Sequence, residues 1–339
     1  MKQYTLALLI SLALHGCCVS LAKAGEAKAS RLVLFEQNER FGFKDETGKV
    51  VIKPMYDDAH EFVGGFAAVN SGAEFKYGPG PARRDGGKWG FINRQGQLLV
   101  PLNLRWVCEF SDGLAQVADD KGRRFIDTDG KTVIDLGKVS HAGNFREGLA
   151  PVYLDRSLQK QDWQTRFINK KGATVFTVDG YAEEFHEGLA VLIVKDESEA
   201  QKKKYGYLDL TRRVAIAPQF AEAIEFNEGL APVRQVKTSR GPAKDDPGGL
   251  NDKAGDMWGY IDKTGQYIIK PQFNDTYPFR GGVARVHVGG TLTIYEIHSP
   301  PIWEGGEWLL IDRKGIVLKR SKEWVKYEND PNKPPKPAQ

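Results

Sequence analysis

Glu147, Glu187 and Glu228 each stand immediately before a glycine, and Asp112 holds the same place before Gly113. Recurrent carboxylates raise the question of glycoside hydrolysis, which needs two of them at a defined separation across the scissile bond. A ring of repeats would gather these four acids around one axis. The repetition itself argues against catalysis, because an active site is asymmetric. An acid recurring once per repeat is explained more simply by a turn that every repeat makes.

Asp127-Thr128-Asp129-Gly130 begins like a calcium loop. Calcium takes about six or more oxygen ligands, no Glu follows at the right distance, and an Asp-x-x-Gly turn accounts for both ends. Beyond the first 24 residues His60, His141, His186, His287 and His298 share no ligand spacing, and neither His-x-x-x-His nor Cys-x-x-Cys occurs. Phosphate loops and nucleophile elbows are also missing from the sequence. No catalytic residue, metal site or cofactor is therefore expected. The better lead is a set of aromatics in polar insertions, Phe75, Tyr77, Trp163, Tyr295 and Trp303. Aromatics anchor binding surfaces, although the same rings could simply pin their loops to the body.

The elements that position these residues repeat. Trp258 to Gly265 reads Trp-Gly-Tyr-Ile-Asp-Lys-Thr-Gly, and cognates begin at Phe41, Trp89, Arg123, Thr165, Tyr205 and Trp308. The fifth position is always Asp or Asn: Asp45, Asn93, Asp127, Asn169, Asp209, Asp262 and Asp312. Glycine follows three residues later in every copy except that of Arg212. Such a pair makes a tight turn, because the short side chain caps the backbone two residues on and glycine accepts positive φ. Aromatic and β-branched residues on both sides predict strands. In four copies a proline, Pro54, Pro101, Pro218 or Pro271, follows the second strand and is expected to end its pairing.

A second phrase closes each unit, a phenylalanine followed three residues on by glycine and then by an apolar residue and alanine, as in Phe226, Gly229, Leu230 and Ala231. The alanine recurs as Ala67, Ala115, Ala150, Ala190, Ala231 and Ala284, which implies slots with room for one methyl group where units approach closely. Extra length falls after this phrase, at 71–87, 155–164, 195–204, 237–256 and 289–306. Insertions at one structural position project from one face of a repeat array.

Trp89-Gly90-Phe91-Ile92-Asn93 with Gly96, and Trp258-Gly259-Tyr260-Ile261-Asp262 with Gly265, together with the Phe-x-Glu-Gly-Leu-Ala-x-Val phrase, resemble the WG-repeat family. Lys88-Trp89-Gly90 carries its longer KWG signature. The resemblance spans about residues 32–318. It implies a bacterial, exported repeat scaffold with no family-wide catalytic residues to carry over.

The expected fold is all-β, a repeat array of about seven short β-meander units over residues 31–320. A propeller-like ring is favoured over an open β-solenoid, closed by pairing Leu32-Val33-Leu34-Phe35 with the final unit. Residues 1–24 combine Lys2, an apolar run and Ala22-Lys23-Ala24, an export signal cleaved after Ala24. The alternative is a lipoprotein anchored at Cys17. Cleavage after Ala24 leaves Cys108 as the only cysteine, a small buried residue rather than a reactive thiol. Composition predicts a disordered tail over 323–339.

A net charge of +4 without a clustered basic face gives no nucleic-acid footprint, and nothing after the leader approaches a transmembrane helix. The expected function is an exported, non-enzymatic scaffold, periplasmic or secreted, that binds protein or another envelope component through its inserted loops. Alternatives are a carbohydrate or cell-wall-binding module and, last, an envelope hydrolase.

Overall fold

A computed structural model describes residues 31–78, 80–137, 141–153, 164–196, 203–235, 257–293 and 302–321. Among them no helix forms, and every strand pairing is antiparallel. The leader with Cys17, and the tail expected over 323–339, lie outside the described residues. No described helix is long and apolar enough to cross a membrane.

Sheets follow one another along the chain as meanders. The first holds β1 (Val33–Gln37), β2 (Arg40–Lys44) and β3 (Val50–Tyr56). The second holds β4 (Asp58–Ala59), β5 (Phe66–Gly78), β6 (Gly80–Asn93) and β7 (Leu98–Leu104), and the third β8 (Trp106–Val107), β9 (Ala115–Asp119), β10 (Gly122–Ile126) and β11 (Thr132–Gly137). The fourth comprises β12 (Leu149–Tyr153), β13 (Gln164–Asn169) and β14 (Thr174–Asp179). The fifth comprises β15 (Tyr181–His186), β16 (Leu189–Lys195), β17 (Lys203–Asp209) and β18 (Val214–Phe220). The sixth is β19 (Glu222–Ala223), β20 (Ala231–Gln235), β21 (Met257–Ile261) and β22 (Tyr267–Phe273). In the seventh, β23 (Asp275–Thr276) and β24 (Val283–Val288) pair with β27 (Glu307–Asp312) and β28 (Val317–Ser321), while β25 (Thr291–Thr293) and β26 (Ile302–Glu304) form a separate ribbon.

The eight-residue phrase forms one strand and the turn after it. Asn93 Oδ1 accepts the N–H groups of Gln95 and Gln97, both at 3.0 Å, and Asp262 Oδ1 those of Thr264 and Gln266 at 2.9 and 3.1 Å. Asp127 does the same for Asp129 and Lys131, so its carboxylate serves a turn. The closing residue has positive φ in every copy, Arg212 included at 69°.

Proline does not end the second strand as expected. Pairing resumes beyond it, Trp89 opposite Leu104 and Trp258 opposite Phe273, across an irregularity that places extra residues on the outer strand. The glycine after the aromatic makes room for that bulge. A methyl group on Gly259 would lie 2.5 Å from the carbonyl oxygen of Ile269 and 2.8 Å from the nitrogen of Pro271, and Gly42, Gly90 and Gly206 are equally crowded. Where Arg124, Arg166 or Leu309 replaces the glycine, the proline is also missing and that residue pairs directly, with Asp135, Thr177 or Arg320. Glycine and proline thus form one device, a bulge that bends the edge strand.

Adjacent sheets share their cores. The third-position aromatic of each of the first six units packs edge-on or tilted against the phenylalanine of the next: Phe43 against Phe62, Phe91 against Phe110, Phe125 against Phe145, Phe167 against Phe185, Tyr207 against Phe226 and Tyr260 against Phe279, with centroids 4.7 to 5.1 Å apart. The six recurrent alanines are at most 2% exposed. Ala67, Ala115, Ala150, Ala190, Ala231 and Ala284 each lie in a cluster with core residues of the preceding unit. Five insertions enter at one position of their units, between the strand that carries the recurrent alanine and the next long strand paired with it, at β5–β6, β12–β13, β16–β17, β20–β21 and β24–β27. β1 pairs with β2, and among the described residues no strand of the seventh sheet pairs with the first.

Candidate functional site: the inserted ribbons and the carboxylate row

The carboxylates that opened the question of hydrolysis form a row along the sheets. Asp112, Glu147, Glu187 and Glu228 all adopt positive φ, between 52° and 54°, in the turn before the repeat glycine. Each reaches the corresponding turn of the next unit and accepts its backbone N–H: Asp112 from Gly148 at 2.7 Å, Glu147 from Gly188 at 2.9 Å, Glu187 from Gly229 at 2.9 Å, and Glu228 from Gly281 and Gly282. Lys170 and Lys263 come from the following units to sit on Asp112 and Glu187, also bonding their carbonyl oxygens. Burial alone would raise the Glu187 carboxyl. The Gly229 N–H and the Lys263 ammonium outweigh it and hold the carboxyl below the usual range. These acids are consumed by inter-unit bonding.

Two ribbons are described. In the second unit β5 and β6 run past the sheet to a turn near Gly78, and Arg84 folds back from the ribbon onto the first unit. Its guanidinium stacks on Phe75 at 4.2 Å and Phe41 at 5.1 Å, and bonds the Glu36 carboxylate at 3.2 Å and the Glu39 carbonyl at 2.7 Å. In the seventh unit, Trp303 of β26 stacks on His287 at 5.0 Å and donates its indole N–H to Asp275 at 3.2 Å.

Both ribbon bases share a plan. Gly72 and Gly289 donate to Asp57 and Asn274, and the buried side chains of Asn70 and His287 bond Gly86 O and Gly305 O, each at 3.2 Å. Desolvation lowers the His287 pKa, favouring the neutral ring.

Of the aromatics singled out by sequence, Phe75 is therefore covered by Arg84 of its own ribbon, and Trp303 ties its ribbon to His287 and Asp275 of the sheet. They lie on different units and do not meet in one site. The side chain of Tyr77, and the whole of Trp163 and Tyr295, lie outside the described residues.

A polar cluster on the fourth to sixth units carried no sequence signal. Tyr153 and Tyr181 stack almost flat at 4.3 Å, and His141 also stacks on Tyr153, at 5.2 Å. Glu184 accepts the Asn144 N–H at 2.8 Å. Its neighbour Glu183 is pushed up to about 7, by burial first and then by the charges of Glu184 and Glu225. Glu183 occupies a slot held elsewhere by His60, Cys108, Gly143, Ile224 and Tyr277. A position that varies this freely gives pattern reading nothing to hold. Burial pushes the Cys108 thiol up to about 11, as suits an inert side chain. Among the described residues no group of three or more histidine, cysteine or acidic side chains is placed to hold a metal.

The family model for the WG-containing repeat matches residues 41–73, 89–121, 124–156, 205–235 and 258–291. The chain is a WG-repeat protein. Those five matches start within β2, β6, β10, β17 and β21, so each WG repeat spans the junction between two sheets. No functionally curated protein matches the sequence.

Among solved structures, a eukaryotic initiation factor superposes with a TM-score of 0.52 at 8% identity, over 86% of this chain and 73% of that one. The tricorn protease gives 0.44 at 12% identity over 85% and 34%, and an uncharacterized Listeria monocytogenes EGD-e protein 0.40 at 9% over 86% and 81%. At these identities the first likeness concerns the fold alone. The WG repeat accounts for Trp89, Gly90, Asn93, Gly96, Trp258, Gly259, Asp262 and Gly265 as structural residues, two each of aromatic wall, bulge glycine, turn acceptor and turn glycine.

Proposed function

We propose that this WG-repeat protein is an exported, non-enzymatic scaffold that holds a protein or another envelope component against its inserted loops. The observation that carries the reading is the division of labour along each unit. Repeated residues, including the acids at 112, 147, 187 and 228, are spent on turns and inter-unit bonds, while the insertions differ in length and sequence and enter at one position. Export rests on the leader, with cleavage after Ala24 and a Cys17-anchored lipoprotein as its alternative.

The overall shape we propose is an open array, supported by the contrast between the first unit and its successors. Turn glycines Gly96, Gly130, Gly172, Gly265 and Gly315 would each place a methyl group within about 3.3 Å of a core residue of the preceding unit, whereas Gly48 of the first unit faces open space.

The test is capture of partners from an envelope extract by the mature chain and by a variant lacking 237–256 and 289–306. Loss of specific partners with an unchanged melting profile supports the reading. Undiminished capture removes it. A glycan array run on both proteins reports whether the component held is a carbohydrate.

A further inference from the structure

We propose that residues 322–327, which follow the last described residue, lie over the trailing face of the seventh unit and cap the array. The inference rests on the open array.

At each described junction the chain leaves the outer strand of one unit and at once covers that unit's core. The outer strands end at Tyr56, Leu104, Asp179, Phe220 and Phe273, and six residues beyond each stands the covering phenylalanine, Phe62, Phe110, Phe185, Phe226 or Phe279. The third unit does the same over a longer step, from Gly137 to Phe145. The third-position aromatics beneath these rings are at most 1% exposed. In the seventh unit Leu310 holds that place and is only half-buried, and Ser321, the last residue of β28, is where the described chain leaves this face.

The covering phrase is present in the sequence at the same step. Six residues beyond Ser321 stands Tyr327, in Lys322-Glu323-Trp324-Val325-Lys326-Tyr327, which aligns without a gap on Ala221-Glu222-Ala223-Ile224-Glu225-Phe226. The copy then breaks off, with Asp330 in place of the recurrent glycine and Asn332, behind Pro331, in place of the recurrent alanine. Trp324 marks it as a cap. Its slot is held at the junctions by Ala59, Val107, Ala142, Ala182, Ala223 and Thr276, each at most 9% exposed, and the first five lie in clusters that join two units. An indole overfills such a slot and needs the open side that the end of an array provides. The face beneath is part polar, as befits a terminal unit: Arg285, Lys319 and Ser321 stand where the sixth unit has Pro232, Ile269 and Phe273. Tyrosine and tryptophan suit it, each with an apolar body and a polar tip. The disordered tail expected from composition is then confined to 328–339.

The test is amide hydrogen exchange on the mature chain, on chains stopped after Tyr327 and after Ser321, and on Tyr327→Ala and Tyr327→Phe. The chain stopped after Tyr327 and Tyr327→Phe are expected to match the natural protein. Tyr327→Ala and the chain stopped after Ser321 uncover Leu310, so exchange over 307–321 is expected to quicken about tenfold or more, with 33–56 unchanged.

Circular dichroism checks that each variant keeps its fold. Exchange over 307–321 that ignores both changes overturns the proposal. So does faster exchange in the chain stopped after Tyr327, which would place the cover in 328–339, and so does protection that grows with protein concentration, which would assign the face to a second copy. A closed ring is a separate failure, seen as faster exchange over 33–56 together with 307–321 in the chain stopped after Ser321. It would sink the open array on which the cap depends.

Discussion

Glu187 offers the sharpest test of whether the carboxylate row is structural. Its Oε2 accepts the Gly229 N–H at 2.9 Å and lies 3.3 Å from Lys263 Nζ, which also donates to the Glu187 carbonyl at 2.8 Å. Replacing it with Gln keeps the shape and removes the charge. A hydrogen bond to a charged group contributes about 1.5–3 kcal/mol and a neutral one about 1 kcal/mol, and an exposed ion pair adds up to about 1 kcal/mol. The side chain is 33% exposed, so the lower end applies. Glu187→Gln should cost about 1 kcal/mol, a fall of roughly 2–4 °C in melting temperature for a chain of this size.

Glu187→Ala loses the acceptor altogether and keeps an L-residue at φ 53°, so about 2 kcal/mol is expected. Glu187→Gly should recover roughly half of that, because glycine accepts positive φ without strain. The pH dependence follows from the depressed folded-state pKa. The contribution is present above the unfolded value near 4.5 and is lost as pH falls through the lower folded value. Urea titrations of the four proteins between pH 3 and 7 read all of this. If Glu187→Gln were as stable as the natural chain at every pH, the row would not hold units together, and its acids would again be candidates for chemistry.

Other expectations follow from single features. Gly259→Ala would place a methyl group 2.5 Å from a backbone oxygen. It should destabilise by roughly 2–4 kcal/mol, whereas Leu309, which pairs directly with Arg320, should accept Ala as an ordinary core truncation without a shift in the local ladder by hydrogen exchange. Glu183 has a raised folded pKa, so its contribution is full below about 4.5 and is lost as pH rises through about 7. Glu183→Gln should therefore raise the melting temperature more at pH 8 than at pH 5, and an equal gain at both would contradict the burial of that charge beside Glu184 and Glu225. Trp303→Ala should expose His287 and Asp275 and free the β25–β26 ribbon, seen as faster amide exchange over 289–306 with the other sheets unchanged.

The sequence made the hairpins legible because two constraints coincide there. Asp262 must accept N–H groups two and four residues on, and Gly265 must hold positive φ, so both types recur wherever the turn does. The alanine slots were legible for the same reason, since a neighbour's core leaves room for one methyl group. Proline was misread as a strand end, because its effect depends on the glycine facing it across the ladder, a relation between residues ten or more positions apart. The role of Glu187 was only half visible. The turn could be read locally, but the Gly229 N–H that it serves lies 42 residues away, and only packing of successive units brings the two together. Asn70 and His287 share one structural role with different side chains, so no pattern of residue types could have linked them. Arg84 lies in an insertion outside the repeated phrases, and the structure uses it as a strut onto the first unit.

The most direct test of the account is disulfide trapping in a Cys108→Ser background of the mature chain. Gly96→Cys with Ile52→Cys is the control pair, drawn from two residues in contact across an ordinary unit junction. Gly48→Cys with Lys319→Cys probes the same relation across the two ends. A disulfide needs Cα atoms within about 7 Å. An open array of WG repeats predicts rapid crosslinking of the control pair and none within a single chain for the end pair, and an intramolecular disulfide between positions 48 and 319 would contradict it.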